Sequence, residues 1–387
     1  MIYTEPKLES IDHQVLKLID RQRSRLGTFT QHNPKRWMGS IRRRTFARAI
    51  QGSNSIEGYN ASMDQVIAAI EGEPPIDERN EITMAIEGYR NAMTYVMQAA
   101  RDPYFDFSKQ FLKSLHFMMI GFDMTKNPGQ WRPGSIFVVN SKSGNVVYEA
   151  PDQEQVDPLI CELVEYVRGK TRQHLYVKAA MAHLNLTMIH PFSDGNGRMA
   201  RALQTLIIGL DGLLHPVFSS IEEWLGDNTE EYYSVLGETG EGRWQPQRAA
   251  QKWMRFCLKA HYQQGSKLLR RMGEYERLYA GIIELIAQHG LHERTALPMF
   301  DAALGLNLTN ARYQGDAQVT FHIASRDLKK LSELGLLDAQ GETRARRYSA
   351  GPELQALRKK YRTQKPLVDP YELASSSGDL QGELPGL

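Results

Sequence analysis

The 387-residue sequence contains only two cysteines, Cys161 and Cys257, which is too few for a disulfide framework. It has no C-x-x-C pair or cysteine–histidine cluster of the kind that binds zinc. The sequence has no run of about 18 apolar residues, so no membrane span is predicted, and the polar N-terminus does not resemble a secretory signal. The formal net charge is only +2, so overall charge does not indicate a nucleic-acid partner. We therefore expect a cytoplasmic protein without membrane contact.

Apolar residues are plentiful and are spaced mainly for helices. They make up 41% of the sequence, enough for a sizeable core, and the length allows two or three domains. Two short β-branched runs, 135–139 and 146–151, flank the turn residues 140–145 and predict a β-hairpin. We predict an N-terminal helical region over 1–104, a core over 105–262 and a separate C-terminal unit over 270–350. The tail, 365–387, is rich in Ser, Gly, Pro and acidic residues and is predicted to be disordered.

The segment HPFSDGNGRMAR, residues 190–201, joins two helical patterns and concentrates polar and flexible residues. Gly195, Asn196 and Gly197 would expose backbone N–H groups where the loop enters a helix, and such a helix N-terminus favours an anion. Arg198 and Arg201 are three residues apart, so they share one side of the first turn, and guanidinium groups suit phosphate oxygens. This part of the segment predicts a phosphate site.

Three other residues of the segment complete the prediction. Asp194 is a carboxylate in the same loop, and beside a polyphosphate its natural role is to bind Mg²⁺. His190 stands at the loop entrance, where an imidazole can accept a proton. Phe192 is expected to point inward and anchor the loop. The alternative is a plain turn with solvated arginines and a structural histidine, but all these residues in one loop favour a nucleotide site with a general base.

The segment resembles the signature of the Fic-domain family, His-x-Phe-x-Asp/Glu-Gly-Asn-Gly-Arg-x-x-Arg, at every defined position. The resemblance covers about residues 8–260. It implies an all-α core with a β-hairpin flap, and a protein adenylyltransferase that moves AMP from ATP to a Ser, Thr or Tyr hydroxyl of a protein. It further implies that His190 is the base, that Asp194 holds Mg²⁺, and that Arg198 and Arg201 bind the β- and γ-phosphates.

A second, shorter pattern precedes the core. SNSIEG, from Ser53 to Gly58, resembles the inhibitory motif of the same family. The resemblance places Glu57 against Arg201, where the carboxylate would compete with the γ-phosphate and hold the enzyme inactive. A solvated surface glutamate is the alternative. In some members of the family this glutamate positions water for removing AMP, so a hydrolase that reverses the modification is a further alternative.

Two more elements receive predicted roles in binding. The hairpin at 132–151 resembles the flap of the family, whose strand edge would pair with an extended segment of an unknown target protein. The alternative is a plain surface hairpin. Tyr233, in NTEEYYSVL, is a candidate for adenine contact by resemblance to a Tyr-Tyr pair, and a core tyrosine is the alternative.

The C-terminal unit looks like a small α+β winged helix-turn-helix domain. In residues 323–348 we expect the basic residues of the last helix to face outward (Arg326, Lys329 and Lys330) and its leucines to pack inward (Leu328, Leu331 and Leu334). The wing is expected to carry three arginines, Arg344, Arg346 and Arg347. Such a unit can contact DNA, although a solvated basic face or a protein-binding role fits equally well. The second hypothesis for the whole chain is thus a DNA-binding regulator that senses nucleotide. The oligomeric state is left open, a homo-oligomer included.

Overall fold

The computed structural model describes residues 1–31, 37–72, 80–139, 145–169, 172–342 and 346–376. Most of these residues are α-helical, as the apolar spacing predicted. Within these ranges, no helix has the length and apolar character needed to cross a membrane.

The structure describes four helices in the N-terminal part of the chain. The third begins at a capping box, in which Ser62 and Gln65 exchange side-chain and backbone hydrogen bonds, and it ends at Gly72, which takes a left-handed φ of 70°. Both boundaries have local signals in the sequence, because serine commonly caps the start of a helix and glycine commonly follows its end. The helices are α1 (Ser10–Gln31), α2 (Met38–Ile56), α3 (Met63–Glu71) and α4 (Glu81–Ala99).

Two consecutive helices, α7 (Leu175–Ile189) and α8 (Asn196–Gly209), pack together and carry the 190–201 segment between them. Nearly every residue of both is buried. The larger apolar residues of α7 recur at helical spacing in one stripe, and its alanines allow neighbouring helices to pack on its other faces as well. Helix α6 (Gln153–Arg168) packs against α7, and α4 and α5 (Lys109–Ile120) pack against α8.

A short hairpin lies between α5 and α6, which confirms the prediction of a hairpin. Strands β1 (Phe137–Val139) and β2 (Val146–Glu149) are antiparallel, with Val138 opposite Tyr148. Both strands are shorter than predicted. Residues 140–144 of the predicted turn lie outside the described part of the chain.

The chain forms two compact units. The first contains Met1–Phe29, Arg43–Ser266 and the described residues from Val368 onward; the second contains Thr30–Arg42 and Lys267–Leu367. The boundary between Ser266 and Lys267 falls within one 38-residue helix. That helix is α11 (Gln251–Gln288), and the helices between α8 and α11 are α9 (Glu222–Asp227) and α10 (Thr229–Gly240).

After the end of α11, the described part of the second unit continues with three α-helices, a two-stranded hairpin and a last helix. They are α12 (Ala296–Ala303), α13 (Asn310–Ala317), α14 (Phe321–Glu333), β3 (Leu337–Gln340), β4 (Arg347–Ala350) and α15 (Pro352–Tyr361). Leu308, which precedes α13, forms an antiparallel bridge with Tyr348 of β4.

The predicted faces of α14 are mostly found, with one error. Arg326, Lys329 and Lys330 are exposed, and Leu328 and Leu331 are buried. Leu334 was expected inside, but it is 37% exposed because the helix ends at Glu333 and the chain turns away at Gly335. Of the predicted wing arginines, Arg344 lies outside the described residues.

The predicted disordered tail contains a helix, so the prediction was wrong for this part of the tail. Helix α16 (Pro370–Ser376) buries Leu373 and Ala374, and Tyr371 donates a hydrogen bond to Asp12 of α1 at 3.2 Å. Composition averaged over 365–387 concealed a short segment that has enough apolar surface to pack. Residues 377–387 lie outside the described part of the chain.

Candidate functional site

The loop between α7 and α8 is fixed by packing and by its own hydrogen bonds. Phe192 is fully buried, as predicted, and stacks on the ring of His116 with centroids 3.8 Å apart. The Asn196 side chain accepts from the N–H of Phe192 at 3.0 Å and donates to its carbonyl at 2.8 Å. Gly195 takes a left-handed φ of 79° at the start of α8. Asn196 thus shapes the loop from inside.

His190 ends helix α7 with a left-handed φ of 52°. Its Nδ1 lies 3.2 Å from the Thr187 carbonyl oxygen. Because a carbonyl only accepts, Nδ1 carries the proton of the neutral ring and Nε2 keeps a free lone pair. Burial lowers the pKa of His190 to about 4. At neutral pH the side chain is therefore an uncharged imidazole that can accept a proton at Nε2.

His116 positions the loop from α5, and no pattern in the sequence points to this role. Its Nε2 donates to the Asp194 carbonyl at 3.0 Å, and its Nδ1 accepts from the N–H of Gly129 at 2.8 Å. Burial lowers the pKa of His116 to about 4, which keeps this bridging ring neutral. A neutral histidine with one donor and one acceptor nitrogen fits both partners.

Asp194 lies between two cations. Its carboxylate is 2.9 Å from the ammonium of Lys126 and 3.7 Å from a guanidinium nitrogen of Arg198. Burial alone would raise the pKa of Asp194, but Lys126 and Arg198 hold it below its usual value. The carboxylate is therefore ionised and already has cationic partners.

Arg198 is fully buried beside this carboxylate. Its guanidinium stacks over the ring of Tyr59 at 5.2 Å. Within the described residues, none of its three side-chain nitrogens has a hydrogen-bond acceptor. A buried guanidinium without acceptors is costly unless an anion binds there, which makes this a candidate anion site.

Arg201, one turn further along α8, has partners at two of its three side-chain nitrogens, and Nη1 has none among the described residues. Its Nε donates to Ser53 Oγ at 2.8 Å, and one terminal nitrogen donates to the Ser53 carbonyl at 3.0 Å and to Glu57 Oε1 at 2.7 Å. A Cβ atom at Gly197 would lie 2.6 Å from the same Glu57 oxygen. Ser53 and Glu57 of the predicted inhibitory pattern thus contact Arg201, and Gly58 closes the turn after α2 with a φ of 87°.

A buried carboxylate supports this contact from the far side. Glu222 of α9 accepts from the Tyr89 hydroxyl at 2.8 Å, and Tyr89 also hydrogen-bonds Ser53. Burial raises the pKa of Glu222 to about 7, although Tyr89 and the charge of Arg201 oppose this. The chain of contacts from Glu222 to Arg201 could not be found from sequence, because its members come from four separate helices.

Tyr233 of α10 is half-exposed and lies beside the buried Tyr232, with ring centroids 5.4 Å apart. Its hydroxyl donates to the carbonyl of Ile56 at 3.3 Å, close to the inhibitory pattern. It is therefore not a core residue. Its partner Tyr232 is one, and hydrogen-bonds His183 at 3.0 Å.

The hairpin is tied to the same loop. The Arg132 side chain donates from Nε to the His190 carbonyl at 2.9 Å, and the Arg132 backbone N–H donates to the Pro191 carbonyl at 2.8 Å. The Tyr148 hydroxyl donates to the Met188 carbonyl at 2.8 Å. On the other face of β2, Val147 is 44% exposed. An open, apolar strand surface is thereby held next to His190.

The side chains present suit Mg²⁺ only if a bound ligand coordinates the same ion. Among the described residues, no three His, Cys, Asp or Glu side chains are grouped to hold a metal ion. Asp194 supplies one carboxylate. Mg²⁺ characteristically binds through one or two carboxylates together with phosphate oxygens and water, so the site fits an ion that arrives with a nucleotide.

Comparison with known proteins agrees with this geometry. The model of the Fic/DOC family matches residues 106–208, which span α5, the hairpin and nearly all of α8. Residues 106–208 are a Fic domain. The family prediction is thus confirmed, and the domain contains the whole 190–201 segment.

Curated relatives and solved structures extend the likeness beyond the Fic domain. The chain is 24% identical over 248 residues to a protein adenylyltransferase Fic of Nematostella vectensis, and 26% identical over 251 residues to protein adenylyltransferase fic-1 of Caenorhabditis briggsae. These matches cover 62% and 63% of this chain and 54% and 46% of the relatives. The chain thus spans about half the length of the curated relatives it matches.

Solved structures of low identity share the fold. A Fic family protein from Desulfovibrio desulfuricans has a TM-score of 0.59 at 20% identity, and the match covers 90% of this chain and 99% of that one. Fic-1 of C. elegans has a TM-score of 0.54 at 20% identity, with coverage of 68% and 73%.

Proposed function

We propose that this protein is an adenylyltransferase that transfers AMP from ATP to a hydroxyl side chain of another protein, and that Glu57 inhibits it. The observation that carries the proposal is Arg198. Its guanidinium is buried at the N-terminus of α8, without an acceptor among the described residues, and the loop that leads into this helix begins at the neutral imidazole of His190. An anionic phosphate would satisfy the guanidinium and the helix N-terminus together.

The chemistry assigned to His190 follows from its hydrogen bond. With Nδ1–H donated to Thr187, Nε2 would take the proton of a Ser, Thr or Tyr hydroxyl as its oxygen attacks the α-phosphorus of ATP. The new bond joins that oxygen to phosphorus. The bond from the α-phosphorus to the bridging oxygen of the β-phosphate breaks, and pyrophosphate leaves.

Mg²⁺ is proposed to bind at Asp194 together with the phosphates. When bound, it would neutralise phosphate charge and so lower the barrier to the departure of pyrophosphate. Arg198 would hold the β- and γ-phosphates from the other side, and the loop amides of 195–197 would line the same anion site.

Inhibition is proposed to arise because Glu57 already occupies Arg201. The guanidinium cannot bind the Glu57 carboxylate and a γ-phosphate with the same nitrogen. ATP would then bind without the Arg201 contact and in an unproductive position. Tyr233, whose exposed ring face lies near Ile56 and Glu57, is proposed to contact adenine.

The test is the transfer of label from ATP that carries a radioactive α-phosphate. In cell lysate, Glu57→Gly is expected to label one or more protein bands strongly, the wild type weakly, and Glu57→Gly combined with His190→Ala not at all. Mass spectrometry of the band would identify the target and the modified residue. Equal labelling with and without Glu57 would remove the inhibitory role, and labelling that survives His190→Ala would remove the proposed base.

Removal of AMP is a second candidate, because the charge of Glu57 is close enough to His190 to raise the pKa of the imidazole, against the larger opposite effect of burial. The Glu57 carboxylate could position a water molecule for attack on the phosphorus of the AMP ester. The bond from phosphorus to the side-chain oxygen would then break, releasing AMP and restoring the hydroxyl. In the same assay, a hydrolase would release label from a target that had been modified beforehand, and Glu57→Gly would abolish the release.

A DNA-binding regulator is the other candidate, supported by the second unit. Its order of three helices and a hairpin, with the bridge between Leu308 and Tyr348, is typical of a winged helix. The exposed Arg326, Lys329 and Lys330 lie on the third of these helices. A regulator that senses nucleotide does not need the His190 imidazole, so the His190→Ala arm separates it from the enzyme.

A further inference from the structure

Lys126 has no place in the sequence motifs, yet it reaches the phosphate site. It ends a short 3-10 helix, Met124–Lys126, that follows α5. Its ammonium lies 2.9 Å from Asp194, and 3.8 Å from carboxylate oxygens of both Asp123 and Glu81. Of the three carboxylates, only Asp194 is at hydrogen-bond distance.

This contact places a positive charge beside the carboxylate that Mg²⁺ would use. The second cation near Asp194 is Arg198, at 3.7 Å. The guanidinium is fully buried and held over Tyr59, whereas the Lys126 side chain is 26% exposed and sits on a flexible stem. The ammonium is therefore the partner that can give way to an incoming ion.

We propose that Lys126 is a further nucleotide-binding residue, which neutralises Asp194 so that the site can accept a nucleoside triphosphate before Mg²⁺ binds. This inference rests on the proposed function. Without the ammonium, the ionised carboxylate would face the triphosphate at close range, and two like charges repel strongly where water is partly excluded. With it, Asp194 and Lys126 together present no net charge.

Once Mg²⁺ binds at Asp194, the same ammonium is free to contact a phosphate oxygen. Lysine suits this exchange because it acts as a point charge with three rotatable donors, and not as a rigid fork. Lys126 should therefore matter greatly for metal-free ATP and little for ATP that carries the ion.

Calorimetric titration of ATP into the full-length chain tests this, with one series in EDTA and one in saturating Mg²⁺. Both series use the Glu57→Gly background, so that Arg201 is open. Lys126→Met should raise the Kd for ATP in EDTA by about tenfold, and the Kd for ATP with Mg²⁺ by less than about threefold. Lys126→Arg should restore most of the affinity in EDTA.

Lys113→Met is the matched control. It removes the same charge from the neighbouring helix α5, where the ammonium lies over the ring of Trp131 at 4.7 Å. It should leave both constants unchanged. The inference is overturned if Lys126→Met changes both constants by one factor, or neither. If the chain with Lys126 intact binds no ATP under either condition, the proposed function itself fails.

Discussion

Two arginines one turn apart on α8 meet opposite surroundings. Arg201 donates to Ser53 and Glu57, while Arg198 is buried without an acceptor among the described residues. Burial would lower the pKa of Arg201, but Glu57 more than compensates and raises it. Arg198 is thus a candidate anion site, whereas Arg201 already has an anionic partner in the Glu57 carboxylate.

The burial of His190 has a consequence for pH dependence. Because its pKa is lowered to about 4, the imidazole is neutral, and able to act as a base, throughout the range above about pH 5. The initial rate of labelling by Glu57→Gly should therefore be unaffected by His190 protonation from pH 6 to 8, and should fall only as pH drops towards 4. Initial rates at saturating ATP and Mg²⁺ would measure this. A fall in the labelling rate with a midpoint at about pH 6.5, caused by protonation of His190, would contradict this prediction.

At this scale, the sequence predicted the residues that are neighbours along the chain and missed those that are not. The segment 190–201 could be interpreted because its groups are adjacent, so their proximity needs no tertiary fold. Lys126, His116 and Glu222 reach the site from separate helices, and a lone lysine, histidine or glutamate in a sequence has no distinguishing pattern. Their roles follow only from the distances between atoms.

Near the site, helices α2 and α9 approach each other closely. A Cβ atom on Gly52 would lie 2.4 Å from the carbonyl oxygen of Glu222, and one on Gly226 would lie 2.8 Å from the Gly52 Cα. Both contacts are to backbone, so no side chain can rotate away. Glycine at 52 therefore lets α2 lie against α9, and α2 is the helix that carries Ser53 and ends beside Glu57.

Gly52→Ala should accordingly force the two helices apart. We expect a loss of about 2 kcal/mol in the free energy of unfolding, from overpacking, and increased labelling, because Ser53 and Glu57 must shift with α2. Urea denaturation and the labelling assay measure the two effects separately.

Gly39→Ala is the control, since it lies in the same helix and its Cβ would meet nothing within 4 Å. It should stabilise the helix by up to about 1 kcal/mol without affecting labelling. A Gly52→Ala protein as stable and as inactive as the wild type would show that α2 is not held this closely.

Helices and their ends were the most predictable elements, for physical reasons. Ser62 and Gly72 are local signals that act within one turn. The burial of α7 on all sides was missed because it depends on which helices pack around it. Likewise, the helix at Pro370–Ser376 forms in a segment whose average composition predicts disorder, because Leu373 and Ala374 find a surface to bury.

At the scale of the whole chain, one buried carboxylate joins segments that are far apart in sequence. Asp12 of α1 is fully buried and accepts hydrogen bonds from Gln251 at 3.0 Å, from Arg255 at 2.9 and 3.2 Å, and from the Tyr371 hydroxyl at 3.2 Å. Residues near the beginning and the end of the described chain thus meet on α11. Burial alone would raise the pKa of Asp12, but the hydrogen bonds from Arg255 and the Glu9 backbone lower it.

This lowered pKa predicts how the first unit responds to acid. A carboxylate whose pKa is lower in the folded state adds stability above its unfolded pKa, and the added stability disappears as pH falls through the folded value. Asp12→Asn should therefore cost about 2 kcal/mol of unfolding free energy at pH 7, the scale of lost hydrogen bonds to a charged group, and progressively less below about pH 4. Asp106→Asn is the control, because its ion pair with Arg168 is exposed and worth little at any pH. Urea denaturation at pH 7 and at about pH 2 distinguishes the two variants. An Asp12→Asn penalty that is equal at both pH values would mean that the carboxylate's charge does not hold these segments together.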